Sequence, residues 1–178
     1  MRDFTTDPIV ERITIQAPIE RCFALSTSVE LVQRTLGMKL VGGTTIGHIT
    51  ANSRVVWRGW KFGLPTEHHT LITGFAAPHP VGQGPEHRLE AFFQDTQERG
   101  RFAFFQHDHF FRGSDTGLQL EDHVRFALPF GPLGRLAATF FLAPHIRRLA
   151  QQRFRVIKDL AEGEGWRKWL EPVADPTA

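Results

Sequence analysis

Tyrosine is missing from this chain of 178 residues, so no phenol can serve as an acid or as an oxyanion donor. Cysteine occurs once, at Cys22, which rules out an internal disulfide. No apolar run approaches the roughly 18 residues that a membrane span requires, and residues 1–7 lack the apolar core of a secretory signal. Charge of one sign is not concentrated either. The net charge of +2 comes from scattered Lys and Arg, and the densest basic stretch, Arg147 and Arg148 to Arg155, falls on a predicted helix with apolar neighbours. Such a stretch reads as a solvated helix face rather than a nucleic-acid surface. The expectation is a cytoplasmic protein with no membrane span and no nucleic-acid partner.

Phenylalanine is what abounds: 16 Phe make the interior aromatic but poor in hydroxyls. A chain of this length most simply forms one domain, burying roughly two thirds of its unfolded surface, enough for a core and an internal pocket. Alternation over Val10 to Gln16 predicts a first strand that stops at Ala17-Pro18. Pro18 then opens a short helix carrying Ile19, Cys22 and Phe23 on one side, and Ser28 can cap a second that runs from Val29 to Leu36 and ends at Gly37. Cys22 reads as a helix packing residue. Beyond Gly37 the period changes to two, with strands expected near 39–50, 53–62, 66–77, 86–96, 100–111 and 117–128, an antiparallel meander. Pro132 suits the first turn of a long closing helix. Its apolar stripe is Leu133, Leu136, Ala137, Phe140 and Phe141, continued past a kink near Pro144 by Ile146, Leu149, Ala150, Phe154, Ile157 and Leu160. The domain is expected over 8–162, with a tail at 163–178 whose Trp166 and Trp169 fold back on the body before an unstructured, proline-rich end.

The polar residues of the last two strands carry the most information. Leu118, Leu120, Asp122, Val124, Phe126 and Leu128 share one face, with Gln119, Glu121, His123 and Arg125 on the other, so Asp122 points inward. If 112–116 closes a hairpin, Phe111 lies opposite Leu118, His109 opposite Leu120, His107 opposite Asp122 and Phe105 opposite Val124. A slip of one residue would turn Gln106 and Asp108 inward, burying more polarity with fewer partners. A carboxylate beside an imidazole can fix its tautomer, raise its basicity or anchor a ligand, and it can equally serve only to satisfy buried polar groups. His107, His109 and Asp122 are therefore the catalytic candidates, none of them firm. His-x-His supplies two metal ligands with Asp122 the only obvious third, so neither metal nor cofactor is expected. Of His68 and His69, at most one can face inward, and solvent is the default.

Strand, two short helices, six-stranded meander and long helix is also the order of a known fold. The segment 15–25, the Val56-Trp-Arg-Gly-Trp-Lys-Phe-Gly63 stretch, the strand 100–111 with its His-x-His, and 122–134 ending in Leu-Pro-Phe-Gly-Pro-Leu-Gly resemble the SRPBCC (START, Bet v 1 and polyketide cyclase) superfamily, nearest its bacterial cyclase/dehydrase-like ligand-binding branch. The resemblance covers about 8–162. It implies an α+β helix-grip fold, in which a curved antiparallel sheet of about seven strands wraps the long C-terminal helix around a deep apolar cavity. Parity within that frame suggests a lining of Val55, Trp57, Leu89, Ala91, Phe93, Phe105, His107, His109, Leu120, Asp122 and Val124, faced by Phe140 and Phe141 or the next helical turn. Phe92 is the alternative to Phe93. Two functions follow. The favoured one is a non-catalytic protein whose partner is a hydrophobic small molecule, lipid-like, isoprenoid or polycyclic. The alternative is a cyclase or dehydratase acting on an aromatic or polyketide-like substrate, with His107 and Asp122 as acid/base pair. A protein partner on the exposed face of the sheet is left open.

Overall fold

The computed structural model describes residues 7–61, 63–83, 88–114 and 116–170. Strand β1 (Ile9–Ile15) leads into helices α1 (Ile19–Thr27) and α2 (Val29–Leu36). Six strands follow: β2 (Lys39–Gly43), β3 (Arg54–Lys61), β4 (Leu64–Val81), β5 (Arg88–Arg99), β6 (Phe104–Gly113) and β7 (Leu118–Ala127). Helix α3 (Gly131–Ala137) runs through a π-turn (Ala138–Leu142) into α4 (Ala143–Glu162), and a short turn, α5 (Arg167–Leu170), is the last element among the described residues. The sheet is antiparallel throughout, in the order β1-β7-β6-β5-β4-β3-β2. The expected proline-rich end, 171–178, and the start of the strand expected at 86–96 lie outside the described residues.

Local chemistry sets the helix ends. Ser28 stops α1 in an extended conformation and accepts the Leu31 amide with its own hydroxyl, so one residue ends the first helix and caps the second. Gly37 ends α2 in the left-handed region at φ 62°. Cys22 is fully buried, and burial pushes its thiol up to about 12, which makes it an inert packing residue. Strand β4 is longer than the periodicity predicts, at 18 residues. Its pairing with β5 shifts at His69/Thr70, Ile72/Gly74 and Ala76/His79. Each shift bends and twists the ribbon, which is how one sheet can curl around a helix.

The β6–β7 hairpin keeps the expected parity but not the expected register. His109 lies opposite Asp122, His107 opposite Val124, Phe105 opposite Phe126 and Phe111 opposite Leu120, two residues from the predicted pairing. The cause is the turn. Strand β6 continues to Gly113, and the Ser114 amide bonds to the Gly117 carbonyl at 2.8 Å. A Cβ at position 113 would stand 2.4 Å from that carbonyl oxygen, so only glycine admits so tight a closure.

The closing helix departs from expectation in its first half. Leu133, Leu136, Phe140 and Phe141 are exposed, the last two at 66% and 74%, whereas Ala138 is fully buried and Leu142 packs beside it. The π-turn explains the change, because the Ala143 amide bonds back five residues to the Ala138 carbonyl. One extra residue in the turn rotates the stripe, so Ala138 and Leu142 face the sheet instead of Phe140 and Phe141. This widened turn lies immediately before Pro144, near which the kink is expected.

Two packing regions share the concave face. At one end Phe23 of α1 stands edge-on to Phe75, Phe93 and Phe111, over a cluster that includes Ile15, Ala91, Leu118 and Leu120. Trp166 and Trp169 fold back onto that cluster, under Arg21 and Arg34. At the other end Ile9, Val124, Phe126 and Ala138 form a smaller cluster. On the outer face Arg12 of β1 donates to Glu121 of β7 at 2.6 Å, and His123 bonds the same carboxylate. Arg12 first, with His123, lowers the Glu121 carboxyl to about 2 although burial opposes it. A depressed carboxyl stabilises the native state above its unfolded pKa and loses that contribution as pH falls through the folded one. Glu121→Gln is therefore expected to flatten the acid limb of the stability curve below about pH 4.5, read by urea midpoints at stepped pH; parallel limbs in parent and variant would refute it.

Candidate functional site

Between the sheet and the first half of α4 lies a cavity of about 450 Å³, within the range of small-molecule sites. Its wall is mostly apolar: Val29, Met38, Ile49, Ile72, Leu128 and Leu149 are representative. Exposed lining residues mark the mouth, namely Leu64, Arg101 and Phe141, where Arg101 donates to the Pro65 carbonyl at 2.7 Å.

The predicted lining divides into two groups. Val55, Trp57, Phe93, Phe105, His107, His109, Val124 and Phe141 line the cavity. Ala91, Leu120 and Asp122 are buried but do not line it. Ala91 and Leu120 belong to the cluster with Phe23, because α1 rather than empty space covers that end of the sheet. Leu89 is partly buried against the same cluster, and Phe140 is turned to solvent. The strand pairing resolves the Phe-Phe pair: Phe93 is inside, while Phe92 packs on Phe110 on the opposite face. His68 enters the cavity, edge-on to Phe102 and Phe105, and burial lowers its pKa. His69 instead meets Glu67 at 2.8 Å.

The polar wall holds five groups where the spacing predicted three. The Nδ1 of His109 lies 2.7 Å from Asp122 Oδ1, and its Nε2 lies 3.2 Å from Asp95 Oδ2. The Nε2 of His107 approaches Asp122 Oδ2 to 3.0 Å, close enough for charge attraction but outside hydrogen-bond alignment. From α4, Arg153 Nη1 donates to Asp122 Oδ2 at 3.0 Å, and Nη2 donates to the Ser26 carbonyl at 3.3 Å. Asp122 is therefore not a group presented to a ligand. It is the buried anion that holds two imidazoles and a guanidinium.

Asp95 and Arg153 are the residues that sequence reasoning missed, and both had signals. Asp95 shares the parity of Ala91 and Phe93, and Arg153 stands three residues after Ala150 and four before Ile157, on the buried stripe. The solvated-face reading of the basic stretch fails at Arg153, whose side chain is 11% exposed, because the carboxylate of Asp122 waits beneath it.

Electrostatics follow from this packing. Burial opposes the charge on Asp122, yet His109, His107 and Arg153 together hold its carboxyl well below the ordinary range. Burial likewise opposes the charge on Asp95, and His109, His107 and His68 hold that carboxyl low as well. Burial, then the neighbouring His109, lowers the pKa of His107 against the pull of Asp122 and Asp95, which favours the neutral ring. The Nδ1 of His109 sits between Asp122 Oδ1 at 2.7 Å, which only accepts, and Arg153 Nη1 at 3.1 Å, which only donates. The wall can thus offer a guanidinium, oriented imidazole nitrogens and a carboxylate to whatever occupies the cavity.

No protein-family model matches this sequence, and no curated protein matches it. Solved structures do match the fold. The chain is similar to TTHA0849 from Thermus thermophilus, with a TM-score of 0.59 at 12% identity over 86% of this chain and 95% of that one. It is similar to Ara h 8.0201, with a TM-score of 0.54 at 12% identity over 87% and 97%. The di-domain ARO/CYC StfQ of the steffimycin biosynthetic pathway gives a TM-score of 0.60 at 8% identity over 87% of this chain, which spans 50% of StfQ. Seven antiparallel strands and a long C-terminal helix, shared with these solved structures, make the fold of this chain a helix grip.

Proposed function

We propose that this protein binds a hydrophobic small molecule, lipid-like, isoprenoid or polycyclic, with a polar group turned to the Arg153 wall. The observation that carries this reading is an apolar cavity of about 450 Å³ with a few converging polar groups on one side. Among them Ser26 Oγ is buried, lines the cavity and has no protein partner among the described residues. A hydrophobe fills such a space without leaving polar groups unpaired, and its one polar group would meet the guanidinium or the Ser26 hydroxyl. Among the described residues no helix is long and apolar enough to cross a membrane.

The cyclase or dehydratase reading is supported by the His107 ring, which lines the cavity, and by the likeness to the ARO/CYC StfQ. In that reading an imidazole moves the proton and Asp122, which does not reach the cavity, only orients it.

The cavity reading predicts that the protein takes up an apolar fluorescent probe saturably and leaves its own host with a hydrophobe bound, seen by native mass spectrometry. Ala150 lines the cavity from α4 and is 7% exposed. Ala150→Phe places a ring in that space, and we expect probe affinity to fall about tenfold or more, with an overpacking cost of no more than about 1–3 kcal/mol. Failure of the parent to take up any hydrophobe, or unchanged uptake by the filled variant, would refute the reading.

A further inference from the structure

We infer that Asp95, His107 and His109 form a site for a divalent first-row transition ion, zinc being the best fit, on the buried wall of the cavity. One candidate ligand atom from each residue lies within 4.8 Å of the others. His109 Nε2 is 3.2 Å and His107 Nδ1 is 3.9 Å from the same oxygen, Asp95 Oδ2. Ligands each about 2.0–2.1 Å from a tetrahedral ion stand about 3.3 Å apart, so the cluster needs only small adjustments to close on one.

The second observation concerns the far side of each ring. Asp122 lies 2.7 Å from Nδ1 of His109 and, outside hydrogen-bond alignment, 3.0 Å from Nε2 of His107, so a single buried carboxylate stands behind both imidazoles. A carboxylate behind a ligating histidine is the usual outer support of a metal site, orienting the ring and raising its basicity. Nε2 of His109 faces Oδ2 of Asp95 at 3.2 Å, so a metal ion would take the place of the hydrogen that bridges them. Arg153, which also lines the cavity and lies 3.1 Å from His109 Nδ1, neutralises Asp122 and leaves Asp95 as the anionic ligand.

All three residues also line the cavity, so the position left open by three protein ligands faces the ligand space. An ion held there would act as a Lewis acid or anchor for an oxygen-bearing group on the cavity's occupant. Asp95, rather than Asp122, is the third ligand that the His-x-His spacing lacked. Cys22 takes no part, being buried as an inert thiol.

The test is calorimetric titration of the chelator-stripped protein with Zn²⁺, together with visible absorption after adding Co²⁺. One saturable equivalent is expected, with the d–d bands of a low-coordinate Co²⁺ site and no thiolate charge-transfer band. Asp95→Asn, which keeps the shape, and His109→Gln should each weaken binding by about tenfold or more, whereas His69→Gln on the β4 surface should leave it unchanged. Absence of saturable binding or of the Co²⁺ bands in the parent would overturn the assignment, as would equal affinity in Asp95→Asn. The titration needs no organic ligand, and probe uptake needs no metal. Loss of metal binding with uptake intact would refute this site alone, and the reverse would refute the hydrophobe reading alone.

Discussion

Asp122→Ala is expected to destabilise the fold by about 3–5 kcal/mol, because it leaves a guanidinium buried without its anion. Asp122 is 1% exposed, and its two oxygens meet His109 at 2.7 Å, His107 at 3.0 Å and Arg153 at 3.0 Å. The Arg153 side chain, 11% exposed, cannot reach bulk water without giving up its bond to the Ser26 carbonyl, the tie between α4 and the end of α1. The sign depends on which partner remains. A buried ion pair is weak net support, since desolvation offsets most of the attraction, but half of one is a large penalty. The double variant Asp122→Leu/Arg153→Met should therefore recover most of the loss. Urea unfolding of the parent, both single variants and the double variant measures the coupling directly. Strictly additive losses would show that the two groups do not act as a pair.

Phe111→Ala is expected to cost about 3–5 kcal/mol by the transfer and cavity terms together. Phe111 is fully buried, edge-on to Phe23 at 5.3 Å between centroids and stacked with Phe93 at 6.0 Å, so no neighbour can collapse into its place without leaving its own. Its neighbour supplies the control. Phe110 lies on the opposite face, half-buried against Phe92 and His123. Phe110→Ala should cost about 1 kcal/mol, the scale of a cross-strand aromatic pair. Similar midpoints for the two variants would contradict the assignment of faces.

Much of the site was legible because alternation is a local property. The burial of Asp122 and His109 beside outward Gln119 and Arg125 follows from the pleat of each strand and needs no knowledge of its partner. Phe92 and Phe93 could not be separated in that way, since either phase fits an apolar pair. Only the bonded neighbours on β4 and β6 set the phase. The polar wall was half legible. Two histidines and one aspartate stood on adjacent strands, while Asp95 came from a strand read only for its apolar members, and Arg153 from a helix read as solvated.

Phenylalanine richness, the missing tyrosine, the period-two strands, the Ser28 and Gly37 caps and the inward face of β7 were determined by the sequence alone, because each is an intrinsic property of a residue or of a backbone period. Tertiary structure decided the two-residue register shift, the rotation of Phe140 and Phe141 out to solvent, the division of the concave face between α1 and the cavity, and the capture of Arg153 by Asp122. Those outcomes depend on how tightly a turn closes, on one extra residue in a helical turn, and on contacts between segments far apart in the chain, none of which a local period encodes.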